Sequence, residues 1–256
     1  MFDEILAHKN SIIHELDPRT RIISSLILSF AAALSDKFLI LGIYFLISLA
    51  LIYMASIDFF YIIKRLKPVF LFLLMIWIIL PLTFQDKMFL KIPFFSFSKF
   101  LTLSIPGLEL CAKITLKSIT IVLIFVSLVA TMTFASIGNG LHKLFVSDKM
   151  VFLILMTYRY ISVIEHEYKK LLRAAKFRGF KPRTNLHSYR TYAYIAGMLF
   201  VRASNRAKRV YQAMVCRGFN GKFYTLDTFD SSKLSLIFIF IIFAITFFLV
   251  LIEAWI

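Results

Sequence analysis

Five stretches without a charged side chain constrain the fold of this chain more than any other feature. They cover residues 22–35, 38–57, 68–85, 118–142 and 234–252. A helix needs about 20 mostly apolar residues to cross the roughly 30 Å hydrocarbon core of a bilayer. The last four stretches are each close to this length or beyond it, and the shorter first one is separated from the second by only Asp36 and Lys37. We therefore predict an all-α integral membrane protein with about five transmembrane helices, the first two forming a tight hairpin.

Composition excludes an ordinary water-soluble enzyme. Hydrophobic residues make up 60% of the chain, whereas a soluble domain is closer to half apolar. The chain nevertheless has a formal net charge of +16, and membrane spans cannot hold so many cations. Its basic residues must therefore lie outside the hydrocarbon.

Residues 137–230 carry much of this charge, with 17 Lys and Arg against 5 Asp and Glu. Short loops rich in Lys and Arg stay in the cytoplasm. Residues 1–21 and the loop after the second span follow this rule, with Lys9, Arg19 and Arg21 in the first and Lys64, Arg65 and Lys67 in the second. The sequence thus predicts a cytoplasmic N-terminus, four spans within 1–136, a cytoplasmic segment over 137–230, and a last span within 231–256 that ends outside. Loops predicted to lie outside carry four lysines: Lys37, Lys87, Lys91 and Lys99. The N-terminus is acidic from the start, so we expect no cleaved signal peptide.

Local patterns predict several helix boundaries. Asp17 followed by Pro18 favours an N-cap acceptor and a proline in the first helical position. The fourth span is expected to begin near Pro106, with Glu109 and Lys113 paired on one helix face. Within 137–230, apolar spacing predicts long helices over 150–176 and 191–216 and a short one over 138–145.

The two long helices end in a repeat with the pattern A-x-x-x-R-G-F, in which Arg178 of the first copy corresponds to Arg217 of the second. An arginine in the last turn is favoured by the helix dipole, and the glycine allows a left-handed cap. Each arginine is thus expected on a rigid helix end, able to reach carboxylates or carbonyls of another protein. The alternative is that both copies merely end basic helices. We call 177–179 and 216–218 the two R-G tips; the candidate partner-binding residues are Ala174, Phe177, Arg178, Gly179, Ala213, Cys216, Arg217 and Gly218.

These features resemble a known family. Tandem R-G helix ends before a last span are similar to those of the transmembrane T component of energy-coupling-factor (ECF) importers, the EcfT/CbiQ family. The L-D-P-R-T-R-I stretch at 16–22 looks like that family's start of span one, and 158–165 resembles its R-Y-I…E stretch. Residues 205–221 look most like the cobalt/nickel, CbiQ-type branch.

The resemblance implies a non-catalytic role. In such importers the T component joins two cytoplasmic ABC ATPases to a substrate-selecting membrane subunit in a bacterial or archaeal cell membrane. Its long cytoplasmic helices cross, and Ala-Arg-Gly tips dock in grooves of the ATPases. Phe177 and Cys216 stand here where the family has alanine, so we expect Ala174 and Ala213 to supply the close approach. Cobalt or nickel is the implied substrate, and a vitamin is the alternative.

The sequence contains no motif for catalysis or metal binding, which agrees with a non-catalytic role. The chain has no G-x-x-x-x-G-K-[ST] loop, so ATP hydrolysis is assigned to a partner. Its five histidines show no metal-ligand spacing, and we expect no cofactor or metal site. A membrane-bound enzyme would need a carboxylate or histidine cluster at the membrane face. A basic anchor for nucleic acid or lipid is allowed electrostatically but would not require two capped arginines, so no nucleic-acid partner is predicted.

Overall fold

The computed structural model describes residues 11, 13–83, 105–144, 146–221 and 233–255. These residues form helices and connecting turns and no β-strand, which confirms the all-α class. The described helices are α1 (Pro18–Leu34), α2 (Phe38–Met54), α3 (Phe59–Thr83), α4 (Ile105–Leu128), α5 (Phe134–His142), α6 (Asp148–Phe177), α7 (Leu186–Cys216) and α8 (Lys233–Trp255).

The chain divides into two compact units. The membrane unit contains the described residues up to Gly140 together with α8, and the two-helix unit contains those from Leu141 to the end of α7 and its cap. The predictions for Gln85, Lys87, Lys91, Lys99 and the first ten residues lie outside the described part of the chain.

Helix α4 is the centre of the membrane unit, because α1, α2 and α3 all pack against it and α8 packs against α1. The core of the membrane unit is apolar, with Leu28, Tyr44 and Ile124 almost fully buried. The outer faces expose large apolar side chains such as Phe30 and Phe70, which is the surface expected against lipid.

Two described helical segments, Gly107–Leu128 and Lys233–Glu253, are long and apolar enough to cross a membrane. Helix α2 is apolar throughout but shorter, at 17 residues. The membrane class is supported on this ground, and the number of five spans stays a prediction.

The expected start of the fourth span near Pro106 agrees with α4, but the charge-free run over 118–142 is divided between two helices, α4 and α5. Helix α4 ends at Leu128, where the amides of Val129 and Ala130 both donate to the Phe125 carbonyl, at 2.9 and 3.0 Å. Thr133 then starts α5, since its Oγ1 accepts the Ser136 amide at 3.1 Å in the manner of an N-cap. Apolar composition continues across this turn, which is why hydropathy did not reveal it.

Other boundaries shift for simpler reasons. Helix α3 begins at Phe59 rather than at 68, because a helix can carry basic residues in a turn outside the hydrocarbon and still continue through Pro68. Helix α7 begins at Leu186, before the expected start at 191, and passes through Gly197 without a break. The short helix expected over 138–145 is α5, which begins earlier, at Phe134.

Candidate functional site: two glycine-capped helix ends

The first R-G tip closes α6 with a complete Schellman motif. Arg178 is the C-cap residue, and Gly179 follows it with φ +85°. The Gly179 amide donates to the Lys176 carbonyl at 3.0 Å, and the Phe180 amide donates to the Ala175 carbonyl at 3.1 Å. Both bonds satisfy carbonyls that a helix end otherwise leaves without a partner. The arginine is thus fixed to a well-defined backbone.

The second R-G tip closes α7 with the same two bonds. Gly218 has φ +83°, its amide donates to the Val215 carbonyl at 2.9 Å, and the Phe219 amide donates to the Met214 carbonyl at 3.1 Å. The predicted left-handed glycine caps are therefore present at both ends. Each tip stands at the end of its own helix, so the repeat in the sequence corresponds to a repeat in backbone geometry.

All eight candidate residues are exposed. Phe177, next to the first arginine, is 91% exposed, an unusual state for a phenylalanine. Phe180, two residues after that arginine, is buried and packs edge to face on Tyr192 of α7, with ring centroids 5.5 Å apart. Phe180 thus packs the first tip against α7, whereas Phe177 is exposed and available to a partner protein.

The two arginines are available as cations. Within the described part of the chain, neither Arg178 nor Arg217 lies in a salt bridge. The surroundings of the first tip are basic, with Lys176 in the last turn and Lys181 just beyond. A guanidinium held in this way can donate to carboxylates or backbone carbonyls of a second protein.

Helices α6 and α7 also contact each other through an ionic cluster that sequence reasoning missed. Arg202 of α7 donates to Glu167 of α6 at 2.8 Å, and Arg206 Nη2 lies 3.6 Å from the other carboxylate oxygen. Lys170, on the same helix as Glu167, lies 3.7 Å away. The hydrogen bond from Arg202, with the positive charge of all three cations, lowers the pKa of Glu167. The available signal was the repeat itself, since Glu167 and Arg206 occupy equivalent positions in its two copies.

An apolar groove of about 940 Å³ runs between α6 and α7. Its lining includes Met156 and Tyr160 from α6, Leu199 and Met214 from α7, and Phe219 from the second cap. Met side chains adapt to irregular surfaces, so this groove can change shape when the two helices move.

Fold and site together define a helical membrane protein that carries a second unit of two long helices with matched basic ends. Among the described residues no group of three or more His, Cys, Asp or Glu side chains could hold a metal ion. The family model described as cobalt transport protein, CbiQ, matches residues 9–226. The chain therefore belongs to the CbiQ family of transmembrane T components, as the sequence predicted.

Relatives that include proteins named as such components match most of the chain. The energy-coupling factor transporter transmembrane protein EcfT of Listeria innocua is 26% identical, over 83% of this chain and 82% of its own length. The protein of the same name from Bacillus subtilis is 24% identical over 86% of this chain and 87% of its own length. An uncharacterized protein of Methanocaldococcus jannaschii, MJ1089, is 26% identical over 94% of this chain and 88% of its own length. Family membership thus rests on the membrane unit and the two-helix unit together.

Proposed function

We propose that this protein is the coupling subunit of an ECF-type importer, passing the ATP-driven motion of two cytoplasmic ABC ATPases to a substrate-binding membrane subunit. The observation that carries the proposal is the pair of R-G tips, which share the same cap hydrogen bonds at equivalent positions of the repeat. Two equal tips suit two equal partners. The subunit itself is non-catalytic, and ATP hydrolysis belongs to the ATPases.

Each tip is assigned to one ATPase. A guanidinium that enters a water-poor groove and meets a carboxylate is a strong contact, and truncating one partner of such a contact costs about 2–5 kcal/mol. The two contacts are joined by one chain, so binding of the first raises the effective concentration for the second. This arrangement favours a complex that holds both ATPases or neither.

Cobalt or nickel is the proposed substrate class, because residues 205–221 resemble the cobalt/nickel branch and the matching family is described as cobalt transport protein. A vitamin is the alternative. The proposed topology has five spans, with the N-terminus and the two-helix unit in the cytoplasm and the C-terminus outside. Support comes from the basic residues of the short segments before the first span and after the second, which are Lys9, Arg19 and Arg21, and Lys64, Arg65 and Lys67.

Co-purification and uptake test the proposal. The chain is expressed with candidate ABC ATPases and a candidate substrate-binding membrane protein from the same genome. Retention of the ATPases and uptake of cobalt, nickel and a vitamin panel are measured. Arg178→Ala and Arg217→Ala are each expected to assemble partly and transport poorly, while the double variant loses the ATPases. Arg178→Glu should be worse than Arg178→Ala, and Arg178→Lys should rescue little if the contact is bidentate.

Arg209→Ala is the matched control. Arg209 is also an exposed cation of α7, but it lies two turns before the second tip. Its removal changes net charge by the same amount and should leave assembly intact. Full assembly and uptake in the Arg178→Ala/Arg217→Ala variant would reject the coupling role of the tips.

A further inference from the structure

The contact between α6 and α7 falls at equivalent positions of the internal repeat. The offset that relates Arg178 to Arg217 also relates Glu167 to Arg206, and these last two residues form a salt bridge. The Glu167–Arg206 contact therefore joins the same position of the two copies of the repeat.

Both tips are equally far from this contact. Glu167 precedes Arg178 by as many positions as Arg206 precedes Arg217. At about 1.5 Å per residue, each arginine lies about 16 Å along its helix from the Glu167–Arg206 contact, which we call the crossing of α6 and α7. A change in the angle between the two helices at this contact would therefore move the two tips by similar amounts.

The residues that meet at the crossing carry opposite charges. Two copies of one charged residue would repel each other where equivalent positions meet, and here the repeat places an acid opposite a base. Arg202, one turn before Arg206, donates the shorter bond, so one carboxylate bridges two guanidinium groups of the other helix. The Glu167 side chain is only 19% exposed. Isolated ion pairs on the surface contribute little to stability, but several charges that form a network, as here, contribute more.

We propose that Glu167, Arg202 and Arg206 are positioning residues that fix the crossing of α6 and α7 and so hold the two R-G tips at one separation. We call these three residues the clamp. Its role, which rests on the proposed function, is to present both tips to two ATPases at once. Without it, each tip still binds singly, but the second contact no longer gains from a fixed geometry.

The distance between the tips is the direct readout. In the full-length protein with Cys216→Ala, spin labels are placed at Lys176→Cys and Val215→Cys, exposed positions that are themselves equivalent in the repeat. Cys111 is buried and stays unlabelled. Pulsed electron–electron double resonance should give one narrow distance distribution for this parent, and Glu167→Gln should shift and broaden it.

Glu165→Gln is the matched control. Glu165 is also an acid of α6, but its ion pair, at 2.6 Å, is with Lys169 on the same helix. Removing it should leave the distance unchanged. The Arg202→Gln/Arg206→Gln variant should reproduce the broadening from the other helix, and Glu167→Arg combined with Arg202→Glu and Arg206→Glu should narrow it again.

An unchanged distribution in Glu167→Gln, or broadening that the α7 variant does not reproduce, would overturn the clamp. The measurement needs no partner, so absence of bound ATPases in the wild type would reject the coupling function and leave the distance result standing. Conversely, an intact coupling function with an insensitive tip distance would reject the clamp alone. In the assembled importer, Glu167→Gln should keep single-tip binding and lose uptake.

Discussion

At the scale of single residues, the glycines after the two arginines have an assignable physical role. Their left-handed conformation was predictable, because a glycine just past a long apolar-periodic helix is the common cap and other residues reach positive φ at a cost. The predicted N-cap position of Asp17, with proline at the start of α1, is confirmed. The Asp17 side chain makes no cap hydrogen bond, however, and Thr20 Oγ1 donates to the Asp17 carbonyl at 2.8 Å.

Alanine at the tip glycines should loosen the caps. An L-residue in the left-handed region costs about 1–2 kcal/mol, so Gly179→Ala and Gly218→Ala should weaken the two cap hydrogen bonds of each tip. Hydrogen exchange should accelerate at the amides of Phe180 and Phe219. Gly197→Ala is the control, because Gly197 lies inside α7 with open space around it; faster exchange at the tips of that variant would contradict the explanation.

The titration of Glu167 gives a second prediction at this scale. Its pKa lies below the usual 4.5, mainly because Arg202 donates to it, with Lys170, Arg202 and Arg206 adding positive charge. A lowered carboxyl pKa means stabilisation that is present above the unfolded value and lost as pH falls through the folded one. The spin-label distance should therefore stay constant from about pH 7 to 5 and broaden below about 4.5. In Glu167→Gln it should not respond to pH over that range.

At the scale of helices, close packing decides features that composition cannot show. Gly140, in α5, lies against the start of α1. A Cβ there would come within 2.9 Å of Ile22 Cδ1 and within 3.2 and 3.3 Å of Pro18 Cβ and its carbonyl carbon. The Ile22 methyl can move aside, whereas the proline backbone cannot easily do so. No local pattern indicates this glycine, since its partners are more than a hundred positions away.

Gly140→Ala should therefore destabilise the membrane unit. Overpacking costs about 1–3 kcal/mol, and the flexible Ile22 side chain places this case near the lower end. Gly42→Ala provides the contrast, because no atom lies within 4 Å of the added Cβ and α2 gains helix propensity. Thermal unfolding in detergent should give a lower Tm for Gly140→Ala and an equal or higher one for Gly42→Ala. The same sign for both variants would refute the packing argument.

Arg21 links two helices of the membrane unit. It is buried in α1, and its Nε donates to the Leu128 carbonyl at 3.1 Å, at the C-terminal end of α4, while its guanidinium also donates to Thr131 Oγ1. The last carbonyls of a helix lack partners within the helix, so this arginine supplies one. The sequence indicated only a basic residue near the membrane surface, because the carbonyl it binds is set by long-range packing.

Lysine cannot reproduce this forked donation. Arg21→Lys should leave a buried acceptor poorly satisfied and lower stability by about 1–3 kcal/mol. Arg19→Lys is the matched control, since Arg19 is on the same helix turn and its side chain is 36% exposed. Equal melting temperatures for the two variants would exclude Arg21 as a link between α1 and α4.

At the scale of the whole molecule, the class and the family were accessible from sequence. Long charge-free runs and concentrated basic residues are global features, and the repeated R-G tips are a local motif with a definite backbone consequence. The packing order around α4 was not accessible, because it depends on which helix faces meet. The repeat relates Glu167 to Arg206, but it does not show that the two side chains are in contact. The apolar runs likewise did not separate α4 from α5, as a turn closed by Phe125 and Thr133 leaves hydropathy unchanged.

Orientation in the membrane is the last prediction. If the excess of Lys and Arg keeps the two-helix unit in the cytoplasm, a membrane-impermeant maleimide added to intact cells should not label Cys216, although this thiol is exposed on the protein. It should label Cys216 once the cells are permeabilised, and buried Cys111 should remain unlabelled in both cases. Trp255→Cys in a Cys216→Ser background moves the thiol to the far end of α8, where the side chain is 92% exposed. That variant should be labelled from outside without permeabilisation, since one crossing by α8 separates it from the tips. Labelling of Cys216 in intact cells would invert the topology and remove the tips from the side where ATP is hydrolysed.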